Sequence, residues 1–242
     1  VIDASRNRSG GAVVYLKNFL KHLDIRKTKI KKIIIFTYKD LLNKLPNRTF
    51  IIKKSHPFLE KNLFFEILWQ LIILPVYLRK NKIDILYSTD STSFCKYNPN
   101  IVFNQDILSF DKESYQKTSL GFYKIRLYLI RFFQIRALNN ANEIFFLSNF
   151  SKKLVSKSLK KNLSFQINHH GVEKKLIKFG KKIQKNLNWC YKTKDKIKLI
   201  YVSPLFNYKN HLTVAKAYNK LKKKYKNLDI KFIGNFSCNY PL

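Results

Sequence analysis

Two segments of this sequence have the residue types that bind phosphate groups. Gly10 and Gly11 precede a run with helical apolar spacing, and Lys209 precedes a second such run. Glycine lets the backbone approach a ligand closely, and the first turn of a helix presents free N–H groups to an anion. A lysine at a helix start is unfavourable unless an anion is bound there. Phosphate contacts at all three residues are therefore one interpretation, and a tight turn at the glycines and a solvated surface lysine are the alternatives.

A polar pair follows the strand predicted at residues 101–104. Gln105 and Asp106 are expected at the carboxyl end of a parallel sheet, where open α/β folds bind ligands. We predict that both act in the catalytic site, with Asp106 orienting an acceptor hydroxyl. Capping of the following turn by Asp106 is the alternative.

Three further residues are assigned to a cleft between two domains. His170 and Gly171 follow the last strand predicted for the first domain, and Ser148 stands at the start of a predicted helix. Two adjacent histidines do not easily face one metal ion. A hinge with a packed or hydrogen-bonded imidazole is therefore favoured over a catalytic base.

The elements that position these residues alternate between short β-branched runs and helical patterns. Strands are predicted near residues 32–37, 50–53, 83–87, 101–104, 143–147 and 164–168, and helices at 122–141 and 152–159. This alternation indicates a parallel sheet covered by helices. After a polar stretch, a second strand, helix and strand are predicted at 198–202, 211–225 and 229–233.

We therefore predict an α/β fold with two Rossmann-like domains. The first spans residues 1–171, a linker spans 172–196, and the start of an incomplete second domain spans 197–242. The three cysteines lie far apart, without a C-x-x-C pair or a histidine at ligand spacing. They predict neither a metal site nor a disulfide framework, and a reducing, cytoplasmic setting fits them most simply.

The chain is strongly basic, with 48 Lys and Arg against 14 Asp and Glu and a formal net charge of +34. Such a charge attracts phosphates, nucleic acid or anionic lipid. The cations are spread through every segment, which favours a generally solvated basic surface over one selected partner. The apolar segment 63–78 is too short to span a bilayer. We predict that it is buried against the sheet, with an interfacial helix as the alternative.

Read in chain order, four segments resemble the family-four glycosyltransferases, a large group of the GT-B type. They are SGGAVVYL at residues 9–16, IFFLSNFS at 144–151, NHHGVE at 168–173 and YVSPLFNYKNHLTVAKA at 201–217. The resemblance implies a first domain that binds the acceptor and a second that binds a nucleotide sugar. It also implies that Gly10, Gly11 and Lys209 meet the donor diphosphate. The anomeric configuration would be retained without a metal ion or a cofactor.

This sequence departs from the family pattern at three places. Pro204 stands where the family often has an Arg. Gln105 stands where the family often has a His, although one subgroup carries Gln at this position. The two-glutamate motif for the donor sugar would lie beyond Leu242. The chain also has no methionine and begins with an apolar residue, which predicts a fragment. Without the donor-sugar motif, this fragment is expected to be inactive by itself.

The sequence thus predicts transfer of a sugar from a nucleotide-sugar donor to a glycan or lipid-linked acceptor. The expected role is synthesis of cell-surface polysaccharide or lipopolysaccharide. The expected location is cytoplasmic, with peripheral attachment to the anionic inner face of the plasma membrane. A basic nucleic-acid-binding protein is one alternative, although no RRM, KH, zinc-finger or helix-turn-helix signature is present. A sugar-nucleotide epimerase of the same fold is the other.

Overall fold

The computed structural model describes residues 1–8, 10–112, 121–172, 174–184 and 196–234. These residues form two compact units. The first contains residues 1–112 and 121–171 of the described chain, and the second contains its remaining residues from 172 onward.

The first unit is built on a seven-stranded sheet in which every pairing is parallel. Its strands are β1 (Ile2–Asp3), β2 (Ile33–Phe36), β3 (Ile51–Lys54), β4 (Leu86–Ser88), β5 (Asn100–Asn104), β6 (Glu143–Phe146) and β7 (Phe165–Ile167). Their order in the sheet is β3-β2-β1-β4-β5-β6-β7. Strands β2, β5 and β6 are rich in Ile, Val and Phe, as is typical of a parallel sheet that is covered on both faces.

Six α-helices in the described part of this unit accompany the sheet. They are α1 (Gly10–His22), α2 (Lys39–Lys44), α3 (Leu63–Leu68), α4 (Leu74–Lys80), α5 (Phe122–Asn139) and α6 (Asn149–Ser156). Leu16 and Leu20 of α1 are fully buried and join the core formed with Ile35 and Phe103. Two short 3-10 helices lie at Ile25–Lys27 and Pro57–Glu60.

Helices α3 and α4 are joined by a π-helical segment, Trp69–Ile73, so that the chain is helical from residue 63 to residue 80. One side of this helix is buried: the Trp69 ring packs 5.3 Å from the Phe36 ring of β2. Phe64, Ile72 and Val76 on the other side are exposed. The predicted burial against the sheet is therefore confirmed for one face. No helix in the described ranges has both the length and the hydropathy needed to cross a membrane.

The second unit contains helix α7 (Lys174–Gln184), strands β8 (Ile197–Val202) and β9 (Leu228–Ile233), and helix α8 (His211–Lys224). Strands β8 and β9 pair in parallel, with α8 between them in the chain. A 3-10 helix, Asn207–Lys209, precedes α8. The predicted strand, helix and strand are thus present, and α7 lies within the segment predicted as a linker.

The predicted parallel sheet with alternating helices is confirmed, but one strand was placed too early. Strand β4 begins at Leu86, whereas residues 83–87 were expected. The backbone N–H of Ile83 donates to the carbonyl of Leu78 at 3.1 Å and closes the end of helix α4. The preceding Lys82 has a left-handed φ of 45°, so the chain is still turning where the strand was predicted.

Candidate functional site

The strand order places a crevice between the carboxyl ends of β1 and β4. Both β2 and β4 are neighbours of β1, and the chain connections on its two sides run in opposite directions. Open α/β sheets bind ligands at such a switch point. The loops after the two strands are joined by hydrogen bonds: the Thr89 N–H and hydroxyl each donate to the Asp3 carbonyl at 3.1 Å. The same hydroxyl hydrogen can instead point to Asn7 Oδ1, which lies 2.9 Å from Thr89 Oγ1.

A buried polar network supports the floor of this crevice. Asp3 Oδ1 accepts hydrogen bonds from the Ser5 N–H at 3.1 Å and the Ser5 hydroxyl at 2.7 Å. Its Oδ2 accepts from Gln70 Nε2 at 2.8 Å, and Gln70 Oε1 accepts from the Phe94 N–H at 3.2 Å. Gln70 lies in the π-helical segment, and such segments often occur at functional sites. This network fixes the loop after β1 against the π-helical segment.

Burial raises the pKa of the Asp3 carboxyl, because the charged form loses its water. The hydrogen bonds from Ser5 and Gln70 lower the pKa of this carboxyl, and the nearby negative charge of Glu66 raises it. Because the folded state binds this proton more tightly than the unfolded state, stability falls as the pH rises above the ordinary Asp pKa.

Replacing Asp3 by asparagine is expected to lower the free energy of unfolding by about 1–3 kcal/mol. The NH₂ group of the new amide would face Nε2 of Gln70, which is also a donor. The Gln70 amide cannot turn over to present its oxygen there without losing the hydrogen bond from the Phe94 N–H. Urea unfolding of both proteins between pH 4 and 8 measures the effect. The variant should also lose the decline of stability with rising pH that Asp3 causes. The matched change Asp229→Asn, at an exposed site, should have little effect; equal losses would contradict the prediction.

Two arginines of the β1 loop share the carboxylate of Glu66, which is only 2% exposed. Arg8 Nη2 lies 2.6 Å from Glu66 Oε2, and Arg6 Nη1 lies 3.5 Å from Glu66 Oε1. Arg6 Nε also lies 4.0 Å from Asp90 Oδ1 in the loop after β4. Arg6 therefore connects the charged groups of the loop after β1 with Asp90 in the loop after β4.

The structure brings the predicted glycine loop and His170 together. Gly10 has a φ of 66°, and a Cβ built on Gly11 would lie 3.8 Å from His170 Cε1. The His170 ring stacks on Tyr15 of α1 with the ring centroids 5.3 Å apart. Partial burial lowers the pKa of His170. Its imidazole is therefore neutral at neutral pH and can accept or donate one hydrogen bond.

Replacing Gly10 by alanine is expected to lower the free energy of unfolding by about 1–2 kcal/mol, because residues with a Cβ are strained at this left-handed φ. The control is Gly180→Ala in helix α7, where an added Cβ meets no atom within 4 Å and no left-handed φ is involved. That change should be neutral or stabilising, since alanine favours the helix by about 1 kcal/mol. Urea unfolding compares the two variants, and a Gly10 variant as stable as the control would refute the strain.

The other predicted site residues of the first unit hold local structure. Gln105 Nε2 donates to the Thr89 carbonyl at 2.8 Å and so reaches the loop after β4. Asp106 Oδ1 accepts a hydrogen bond from the Leu108 N–H at 2.9 Å and so caps the turn after β5, as one of the two predictions for this residue expects. Ser148 caps helix α6 through a reciprocal pair of bonds with Ser151. A Cβ on Gly171 would meet no atom within 4 Å. Catalytic and cleft roles for these residues remain predictions.

The second unit places Lys209 immediately before helix α8. Its ammonium lies 5.1 Å from the centre of the Tyr208 ring, and its backbone carbonyl accepts a 2.5 Å hydrogen bond from the Tyr201 hydroxyl. The helix follows Asn210, which has a left-handed φ of 57° and makes no capping hydrogen bond with its side chain. The side chain of Lys209 is exposed and pairs with no described carboxylate within 4.0 Å.

Gly234 is a residue that the sequence analysis did not single out as functional. A Cβ at this position would lie 1.9 Å from the backbone oxygen of Ser203, so only glycine fits. Gly234 follows β9, and Ser203 follows β8. Close contact of these two backbones fixes the start of the loop that carries Lys209.

Asp3, Asp90 and Glu66 also belong to the switch-point site, although the sequence did not predict them there. One signal was present: Glu66 and Gln70 are four residues apart in an apolar helix and therefore share its face. Their partners Arg8 and Asp3 were not readable, because they lie more than 55 residues away along the chain. Within the described ranges, no three His, Cys, Asp or Glu residues are arranged to hold a metal ion.

No family model matches this sequence, and no curated protein matches it. The fold, however, has a solved counterpart. It is HepE of Anabaena, whose crystal structure was determined in complex with UDP and glucose. The likeness has a TM-score of 0.58 at 14% identity and covers 98% of this chain. The predicted α/β fold of the GT-B type is confirmed at the level of the fold. Membership of family four remains a prediction.

The chain corresponds to 61% of the length of the HepE structure. At 14% identity the likeness concerns the fold and not individual residues.

Proposed function

We propose that this protein is a glycosyltransferase that moves a sugar from a nucleotide-sugar donor to an acceptor hydroxyl. The observation that carries the proposal is the fold shared, over 98% of the chain, with HepE in its complex with UDP and glucose. UDP and glucose are the two parts of a UDP-sugar donor. The switch-point crevice and the helix start beside Lys209 supply sites of the kind that such a donor and its acceptor need.

The donor diphosphate is assigned to Gly10, Gly11 and Lys209. As the bond from the anomeric carbon to the diphosphate breaks, negative charge develops on the leaving oxygen. The ammonium of Lys209 and the free N–H groups at the start of α8 can stabilise this charge without a divalent metal. Support comes from the exposed, carboxylate-free position of Lys209 and from the absence of a side-chain cap at Asn210.

The acceptor is assigned to the first unit. Gln105 and Asp106 follow β5, and His170 follows β7, all at the carboxyl edge of the same sheet. A neutral His170 can bond an acceptor hydroxyl, and the free oxygen of Asp106 can orient another. We propose retention of the anomeric configuration, with Ser148 and Gly171 in the cleft and no cofactor besides the nucleotide sugar.

The biological setting proposed is the synthesis of a cell-surface polysaccharide or lipopolysaccharide at the cytoplasmic face of the plasma membrane. The support is physical. A formal charge of +34 attracts an anionic surface, and the exposed apolar residues Phe64, Ile72 and Val76 on the helix from residue 63 to 80 suit an interfacial contact.

Incubation of the full-length protein with UDP-, GDP- and ADP-sugars, with and without a glycan acceptor, tests the proposal. Release of the nucleoside diphosphate together with a glycosylated acceptor is the expected result. Conversion of the donor into an epimer would show an epimerase instead. Absence of nucleotide binding by calorimetry, from a folded protein that binds RNA, would overturn the transferase assignment in favour of a nucleic-acid-binding protein.

A further inference from the structure

A basic pocket of about 380 Å³ lies beside the loop that follows β1. Its lining residues come from this loop, from the start of helix α3 and from the start of helix α5: Arg6, Arg8, Lys61, Leu63, Glu66 and Arg126. Four of these six side chains are cationic, and Glu66 is the carboxylate among them. The pocket therefore retains positive charge even when Glu66 is ionised.

The cations of this pocket are incompletely paired. Arg6 Nη1 is buried from solvent and has no hydrogen-bond partner in the described part of the chain, because its 3.5 Å distance to Glu66 Oε1 comes without hydrogen-bond geometry. Lys61 and Arg126 are exposed and lie within 4.0 Å of no described carboxylate. They contact aromatic rings instead, with Lys61 4.5 Å from Phe65 and Arg126 5.9 Å from Tyr123. Such an arrangement leaves donors for an oxyanion.

Exposed apolar side chains border the same pocket. Leu63, which lines it, and the adjacent Phe64 are exposed at the start of α3. On α5, Ile125 is exposed next to Arg126, and Phe122 is 84% exposed one turn earlier. Cations within the pocket and apolar residues at its edge complement a ligand with an anionic head and a hydrocarbon tail.

We propose that this pocket binds the phosphate ester of an amphiphilic, lipid-linked acceptor. The guanidinium groups of Arg6, Arg8 and Arg126 and the ammonium of Lys61 hold the phosphate oxygens, and the apolar ends of α3 and α5 contact the hydrocarbon chain. The inference rests on the proposed function, which requires an acceptor, and it assigns that acceptor a chemical class and a site. The switch-point crevice begins next to the pocket, because Arg6 contacts both Glu66 and Asp90.

The test measures binding of decyl phosphate, below its micellar concentration, by calorimetry. The double variant Lys61→Ala/Arg126→Ala removes two exposed cations of the pocket. The control, Lys153→Ala/Lys160→Ala, removes one exposed lysine from helix α6 and one that follows this helix. Both proteins have the same net charge. We expect the pocket variant to weaken binding about tenfold or more, because it removes two donors of charge-assisted hydrogen bonds to the phosphate. The control should bind like the unchanged protein.

Several outcomes would overturn the inference. Equal weakening in both variants would show attraction to net charge alone, and equal binding of neutral decyl glucoside would exclude phosphate recognition. Binding to phosphatidylglycerol vesicles without binding of decyl phosphate would show a membrane surface. Displacement of decyl phosphate by UDP would place the donor in the pocket.

The donor assay distinguishes this inference from the proposed function. UDP-sugar turnover without decyl phosphate binding would refute the pocket alone. Decyl phosphate binding that depends on Lys61 and Arg126, without turnover of any donor, would refute the transferase and retain the pocket.

Discussion

Replacing Lys209 by alanine is expected to lower the rate of sugar transfer about 10²- to 10³-fold, as the loss of one preorganised charge-stabilising group does in other enzymes. The ammonium stands exposed next to the start of helix α8, which has no side-chain cap. Both features favour a bound diphosphate, whose negative charge grows as the sugar departs. Initial rates with the preferred nucleotide sugar, at saturating and limiting donor, separate a loss of binding from a loss in the transition state.

The controls for this experiment lie in the same unit. Lys220→Ala removes an exposed lysine from α8 and should leave the rate unchanged. Lys209→Arg keeps the positive charge and should retain part of the activity, although a guanidinium differs in shape from an ammonium. A Lys209→Ala protein as active as the Lys220→Ala protein would remove Lys209 from the donor site.

Replacing Trp69 by alanine is expected to reduce the free energy of unfolding by about 3–5 kcal/mol, the usual cost of truncating a buried tryptophan. Its side chain is 1% exposed and belongs to a core cluster with Phe36, Leu74 and Leu78. The neighbouring Gln70 donates to Asp3, so a cavity at position 69 also loosens the polar network under the crevice. Urea unfolding followed by circular dichroism measures the loss.

Ile72→Ala provides the matched control for this change. Ile72 lies in the same π-helical segment but is 59% exposed, so its truncation removes little buried surface. Its effect should stay within about 0.5 kcal/mol, as for most surface substitutions. Similar losses for both variants would mean that the buried and exposed faces of this helix have been assigned wrongly.

The general architecture of this protein was predictable from local patterns. Each short β-branched run separated by a helical pattern became a strand of the parallel sheet, including β2, β5 and β6. Helix α5 was expected at residues 122–141 and is found at Phe122–Asn139. These elements are readable because hydrophobic periodicity acts within a few residues. The short helix α2, with six residues, was not located because a segment this short carries little periodicity.

The sites were predictable only where one segment carries its own chemistry. Gly10, Gly11 and Lys209 stand out because a glycine pair or a lysine at a helix start has a local physical meaning. The contact of Gly11 with His170 could not be read in the same way, since about 160 residues separate the two. The sheet brings them together at the carboxyl ends of its strands.

The sequence by itself determined the α/β class, the basic charge and the positions of the candidate phosphate-binding residues, since all three follow from local residue types. Only the tertiary structure decided which polar residues share a site. Glu66 and Gln70 lie within the apolar segment 63–78, and the fold gives them Arg6, Arg8 and Asp3 as partners. The physical reason is that a buried charge needs a partner, and that partner is supplied by the order of strands in the sheet.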